Sequence, residues 1–202
     1  MPVVIAMFGK LRASGAAAAL AGALALTGLG IGVATGGAHT VATPSAARST
    51  AAGPAGLRTY TDHDHGFAVS FPAAWQPTPT DNGLLLAISG GDAVNIHRTV
   101  LAHPIDAGNI AELRAVTDAV LDTPSAHLTI LKSAPTQLGG LPGMYYLYAF
   151  SAGAQRGAHT HYFAFAGRDM YTVVCQALPA ADFGPLATDF DAVVSSFRPL
   201  PA

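Results

Sequence analysis

Histidine is the residue type in this sequence that could most readily bind a metal ion or act as an acid or base. Two His-x-His pairs occur: His63 with His65, and His159 with His161. Residues two apart on a strand share a face, so each pair could present two imidazoles to one metal ion. A closed site needs three or four ligands, and nothing in the sequence brings the pairs together. We therefore expect no metal site, although these four histidines remain the candidate ligands.

The surroundings of each pair favour an ordinary polar role. The first pair is interpreted as part of a turn. In the second, His159 and His161 alternate with other residues along a predicted strand, on the same face as Phe163 and Phe165. If the C-terminal helix covers that face, the phenylalanines lie beneath the helix and the histidines lie at its rim. The pair is then expected to be solvated.

Motifs of hydrolytic or redox catalysis do not occur. The sequence contains no G-x-S-x-G elbow, no H-E-x-x-H and no C-x-x-C. Its only cysteine, Cys175, lies in a predicted strand, where a buried thiol acts as a small hydrophobe. We expect no catalytic residue, no enzyme activity and no cofactor. A secreted hydrolase or acyltransferase without a recognisable motif is kept as an alternative.

Charge argues against nucleic acid as a partner. Of the ten Lys and Arg residues, two precede Arg48, which leaves eight against the twelve Asp and Glu residues that follow. The arginines are scattered along the chain, and binding to phosphates requires a basic patch.

The first 38 residues have the pattern of an export segment. Lys10 and Arg12 precede an apolar run from Ala16 to about Val33, and small residues follow at 36–38. Positive flank, apolar stretch and small residues are the parts of a signal peptide. The run is also about as long as a membrane span, roughly 20 residues, so residues 16–38 could instead form an uncleaved anchor. Cleavage is favoured because Ala and Gly make the run weakly hydrophobic.

Two further regions follow this segment. Residues 39–57 are rich in Ala, Thr, Ser, Pro and Gly without apolar periodicity, which predicts a flexible linker. Residues 58–199 alternate between strand and helix patterns and are predicted to form a single domain. Its predicted strands lie at 67–71, 84–89, 94–101, 127–137, 143–151, 158–167 and 169–177, with a tight turn at 167–169.

Two amphipathic helices complete the predicted domain. The first begins at Asn109, where Glu112 three residues later suggests a capping box. The second covers about 182–196, with Asp182 as its cap and an apolar stripe formed by Phe183, Leu186, Phe190, Val193, Val194 and Phe197. Consecutive strands with two covering helices predict the α+β class with a mostly antiparallel sheet.

Two phrases resemble a known family. The segment Gly66-Phe-Ala-Val-Ser-Phe-Pro-Ala-Ala-Trp75 resembles the opening of PsbP-like domains, and Phe190-Asp-Ala-Val-Val-Ser-Ser-Phe-Arg198 resembles their last helix. The layout is similar to that of actinobacterial LpqN-type envelope lipoproteins, although the lipid-carrying cysteine of that type is missing. The resemblance implies an α/β/α sandwich with an antiparallel sheet and no catalytic residues.

The function expected from these observations is that of an exported cell-envelope protein without enzyme activity. It would bind an envelope protein or a small apolar ligand such as a lipid, and it would touch the membrane only through an uncleaved N-terminal segment. The ligand-binding residues are not indicated by the sequence. A metal-binding protein that uses the His-x-His pairs is the alternative.

Export generates the first testable prediction. If the segment is cleaved, mass spectrometry of the exported protein should find a new N-terminus near His39 or Arg48. The full-length chain in the cytoplasmic soluble fraction would contradict export.

Overall fold

The computed structural model describes residues 48–52, 56–106, 108–111, 114, 128–152 and 154–201. Their strands form two antiparallel sheets. The smaller sheet has the order β1-β2-β3-β10, with β1 Arg48–Ala52, β2 Leu57–Asp62, β3 Phe67–Pro72 and β10 Arg198–Pro199. The larger sheet has the order β4-β5-β6-β9-β8-β7, with β4 Gln76–Thr80, β5 Gly83–Ala87, β6 Ala93–Ile105, β7 Leu128–Leu138, β8 Leu141–Ala152 and β9 Gln155–Ala177.

The longest extended segment, β9, reverses its direction in the middle. Its first half pairs with β8 and its second half with β6. His159 Nε2 and Gln176 Oε1 lie 2.6 Å apart, whereas a straight strand would separate them by about 55 Å. Gly167 lies between the two halves with a φ of +61°, a left-handed conformation that glycine adopts without steric cost. The predicted tight turn at 167–169 is therefore confirmed.

The first hydrophobic core lies between the larger sheet and the elements that cover it. These elements are the smaller sheet and the helix α1 (Phe183–Ser196). Trp75 packs edge-on against Phe190, with ring centroids 6.3 Å apart. The side of the larger sheet that contributes to this core is called the α1 face. Its buried residues include Leu84, Leu86, Val94, Ile96, Ala164, Val173 and Cys175.

The opposite side of the larger sheet carries a second core and is called the histidine face. Strand residues alternate between the two faces, so neighbouring positions of one strand contribute to different cores. Ile110, which follows β6, packs against this second core. The core consists of Leu101, Ile105, Met144, Tyr146, Tyr148, Phe163, Phe165 and Met170.

The C-terminal helix agrees with its predicted extent. Phe190 and Val193 are buried, and Ser196 ties the helix end to β3, since its Oγ accepts a hydrogen bond from Ser70 N at 2.8 Å. Asp182 occupies the predicted cap position, but its side chain makes no capping hydrogen bond. Asp182 is the last residue of a 3₁₀ turn, Ala180–Asp182, which directly precedes α1.

The fold class is confirmed as mostly antiparallel sheet with a C-terminal helix, and two details are corrected. Two covering helices were expected, but α1 is the one long helix among the described residues, and the smaller sheet shares the first core with it. Of the smaller sheet only β3 was predicted; β2, with the sequence LRTYTD, was missed because it lacks a clear apolar alternation. Strand β4 was missed because its two prolines are typical of turns, although an edge strand tolerates them.

The first predicted helix lies mostly outside the described residues. Of its described residues, Ile110, Ala111 and Arg114 are helical. Glu112 of the predicted capping box lies outside the described residues, and Asn109 takes part in a turn just before the helical ones. The carboxylate of Asp106 accepts the backbone N–H of Gly108 at 2.7 Å, and Asn109 Oδ1 accepts the N–H of Asp106 at 2.9 Å. Asp106 and Asn109 therefore close this turn with reciprocal hydrogen bonds of the capping-box type.

The predicted export segment 1–38 lies outside the described residues, as does much of the predicted linker 39–57. Within that linker, Arg48–Ala52 forms the edge strand β1 by pairing with β2. Backbone pairing of this kind needs no apolar alternation in the sequence, which explains why the strand was not predicted. In the ranges that the structure describes, no helix has the length and apolar content to cross a bilayer.

The burial of Phe190 generates a stability prediction. Its side chain is 3% exposed and packs between Trp75 and Phe183. Phe190→Ala should lower the free energy of unfolding by about 3–5 kcal/mol, the usual cost of emptying a buried aromatic site. Denaturant melts would measure the loss, with Ser195→Ala on the exposed side of α1 as control. A loss below about 1 kcal/mol would contradict the packing of α1.

Candidate functional site

The histidine pair of β9 lies on the histidine face and is not solvated. His159 is 9% exposed and His161 is 0% exposed. Phe163 and Phe165 continue the same face, which points away from α1. The prediction of a solvated pair at the rim of the C-terminal helix is therefore wrong. The alternation along the strand was correct, but which face α1 covers depends on tertiary packing.

A chain of hydrogen bonds joins the two histidines. Gln176 Nε2 donates to Gly91 O at 2.6 Å, which turns Gln176 Oε1 towards His159 Nε2. His159 Nε2 must then donate, so in the neutral ring Nδ1 accepts from the hydroxyl of Tyr148 at 3.0 Å. The Tyr148 oxygen accepts in turn from His161 Nε2 at 2.7 Å. All donors of this network therefore point in one direction, from His161 to Gly91.

Burial keeps this network neutral. It lowers the pKa of His159 to about 4. Burial, together with the nearby His159 and His97, lowers the pKa of His161 well below its ordinary value. The pKa of the Tyr148 hydroxyl is raised by burial, since the phenolate would be poorly solvated. Protonation of either histidine would place a charge in a dry interior.

One end of the network is unsatisfied. With the proton of His161 on Nε2, its Nδ1 carries a lone pair, and this atom has no hydrogen-bond partner among the described residues. The hydroxyl of Thr172 on the same face is also buried without a partner in that part of the chain. His97, which pairs with Thr172 across the sheet, has its pKa lowered by burial. His97, His159, His161 and Thr172 thus form a polar cluster that is buried within the histidine face.

The other predicted pair, His63 and His65, lies in the turn between β2 and β3. His63 is exposed, and His65 Nδ1 lies 3.0 Å from the buried Asp62 carboxylate. The backbone N–H of His65 donates to the same carboxylate at 3.0 Å. The carboxylate therefore stabilises the turn.

The two histidine pairs do not meet. One lies beside the smaller sheet, and the other lies on the far side of the larger sheet. No group of three or more potential metal ligands occurs among the residues that the structure describes.

Cys175 is a core residue, as predicted. Burial raises its pKa to about 12, although a hydrogen bond with Thr160 opposes the shift. The thiol is fully buried on the α1 face and stays protonated at neutral pH.

A small groove lies on the α1 face, between the helix and the sheet. Its sheet side is formed by Tyr145 of β8 with Thr160 and Tyr162 of β9. It encloses about 140 Å³. The helix contributes one face with residues at spacings of three and four, which are Phe183, Ala187, Phe190, Asp191 and Val194.

Asp191 is the one charged residue among the described residues that line this groove. Burial raises the pKa of Tyr145 and Tyr162, and the negative charge of Asp191 contributes to both shifts. The two phenol rings lie with centroids 5.0 Å apart. The groove thus combines aromatic surface with a negative potential.

Sequence reasoning missed this groove. The stripe of α1 was predicted as buried, but no role was predicted for Asp191 from the sequence. An acidic residue one turn after Ala187 on the same helix face was the available signal. No sequence pattern could show that Tyr145 and Tyr162 face this position, because they belong to different strands.

The buried histidines generate a prediction on pH. An unfolded histidine titrates near 6.5, whereas folded His159 titrates at about 4. Between these values the unfolded chain binds more protons, so stability should fall as the pH drops from about 6.5 towards 4. The shift of His159 corresponds to about 3 kcal/mol, and His161 acts with the same sign.

Denaturant melts across this pH range would measure the effect. His159→Gln, which removes the titrating ring, should flatten the pH dependence, and His63→Gln at the exposed turn should leave it unchanged. An equally steep dependence in His159→Gln would contradict the assignment to His159.

Comparison with known proteins finds similar structures but no significant match in sequence. No family model matches the chain, and no curated protein matches its sequence significantly. The solution structure of cyanobacterial PsbP (CyanoP) from Synechocystis sp. PCC 6803 is similar, with a TM-score of 0.53 and 13% identity over 73% of this chain and 94% of that chain.

LpqN of Mycobacterium tuberculosis, which is involved in cell envelope biogenesis, is similar with a TM-score of 0.52 and 12% identity. The match covers 67% of this chain and 83% of that chain. Identities this low establish the fold alone. The resemblance carried by the segment Gly66–Trp75 and by the last helix is thereby confirmed at this level: the chain has a PsbP-like fold.

Proposed function

We propose that this chain is an exported, non-enzymatic binding module of the cell envelope, and that it holds one group of an envelope partner in the groove beneath α1. The export pattern of residues 1–38 supports the location. The fold shared with LpqN, a protein involved in cell envelope biogenesis, is in keeping with it.

The size of the groove is the observation that carries the proposal. Sites that enclose a drug-sized ligand measure roughly 300–1,000 Å³, and this groove measures about 140 Å³. It can therefore hold a single functional group but not a lipid chain. This favours recognition of a partner by one projecting group over transport of an apolar ligand.

The burial of the acid–base groups supports a role without catalysis. A general base must come within hydrogen-bond reach of its substrate. His159 and His161 are engaged with Tyr148 and Gln176 inside the sheet layer. Cys175 is buried as a protonated thiol.

The metal-binding alternative gains no specific support. His159 and His161 lie on one face with ring centroids 5.4 Å apart. Three of their four ring nitrogens are already hydrogen-bonded to Tyr148 and Gln176, so a metal ion would have to break the network.

A groove-filling substitution tests the proposal. Ala187 lines the groove, so Ala187→Trp should fill it with an indole ring and reduce capture of an envelope partner at least tenfold, a loss of about 1.4 kcal/mol. The measurement is quantitative cross-linking of the purified protein in a native envelope fraction, with the captured partner identified in each sample. Ala192→Trp adds the same ring at an exposed position of α1 and should leave capture unchanged.

Equal loss in both variants would indicate a general effect of the added ring. Full capture by Ala187→Trp, with a melting temperature like that of the wild type, would refute the groove as the binding site.

A further inference from the structure

The groove beneath α1 has the composition of an aromatic cage. Two tyrosine rings line its sheet side, and Phe183 and Phe190 line its helix side with centroids 5.9 Å apart. Asp191 supplies one carboxylate at the helix edge. No Lys, Arg or His belongs to its lining in the described part of the chain.

This composition selects positive charge. The face of an aromatic ring is negative, so a cation above it is attracted, by about 0.5–1 kcal/mol at exposed sites and about 2 when desolvated. Asp191 is exposed, and the ion pairs found among the described residues do not include it. Its charge acts on Tyr145 and Tyr162, where it contributes to raising the pKa of both hydroxyls. The groove therefore has an uncompensated negative potential.

The size and polarity of the groove favour one chemical type of cation over another. A primary ammonium group carries three N–H donors, and each must find an acceptor once it leaves water. A quaternary ammonium group has no N–H donor and can contact aromatic faces through its methyl groups alone. The lining is mostly aromatic and aliphatic, which suits the second type. A volume of about 140 Å³ is suited to one such head group.

We propose that this groove binds a choline-type quaternary ammonium group, with Tyr145, Tyr162, Phe183 and Phe190 forming the cage and Asp191 neutralising the charge. The proposal rests on the proposed function of the groove and names the chemistry of the group that it receives.

Titration of the protein with choline tests this inference. The ring resonances of Tyr145 and Tyr162 should shift saturably in NMR spectra, and the pKa of both hydroxyls should fall because the bound cation opposes the field of Asp191. The neutral analogue 3,3-dimethylbutan-1-ol has the shape of choline without its charge, and it should bind about tenfold more weakly or less well still. Butylamine, which carries a primary ammonium group, should also bind more weakly.

Two variants test whether the Asp191 carboxylate is the negative charge that attracts the cation. Asp191→Asn should weaken choline binding several-fold, while Asp189→Asn, a change of the same kind on the same helix but outside the groove lining, should leave it unaltered. Equal binding of choline and its neutral analogue would overturn the inference and make the groove an apolar site. Tighter binding of butylamine would overturn it in favour of a primary amine.

Failure of this inference can be told apart from failure of the proposed function. If choline causes no saturable shift while Ala187→Trp still abolishes partner capture, the groove binds a partner by other chemistry and the cation inference is wrong. If neither choline binding nor partner capture depends on the groove, both proposals are wrong.

Discussion

The centre of the larger sheet is buried on both sides, and the structure depends on this constraint. Because strand residues alternate, β9 must supply two different cores from one stretch of sequence. Thr160 and Tyr162 face α1, whereas His159 and His161 face the opposite core. Because the chain reverses at Gly167, both halves of β9 lie side by side in the centre of the sheet, and both contribute residues to the two cores. The histidine network and the groove are therefore separated by the sheet itself, one on each face.

Burial of the histidine face explains the form of its polar network. An unpaired polar group in a dry interior costs about 1–3 kcal/mol, so side chains placed there must satisfy one another. Tyr148 meets this requirement by accepting a hydrogen bond from His161 and donating one to His159. Gln176 then connects the network to the backbone carbonyl of Gly91. The network therefore specifies register between β8, both halves of β9 and the turn before β6. Its residue types are those of many catalytic sites, but their hydrogen bonds are made to one another and to the backbone.

The α1 face has a different character because it is open at one place. There the helix presents Asp191 beside aromatic rings, and the sheet presents two phenols. A buried face with a small opening provides rigid walls, which reduce the ordering cost of binding. This geometry, rather than the histidine motifs, makes the groove the best candidate for recognition.

The sequence by itself determined the local structure where its patterns were strong. The alternation of Phe67, Val69 and Phe71, the turn at Gly167 and the apolar stripe of α1 all predicted their elements, because periodicity reports burial directly. Strands held by backbone pairing, such as β1, and the proline-containing edge strand β4 carried no such pattern. The shared face of His159 and His161 was also readable from their spacing. Only the tertiary structure decided that this face is buried and turned away from α1, and that Tyr145, Tyr162 and Asp191 meet in one groove, because these contacts join residues far apart in the chain and depend on how the sheets and the helix pack.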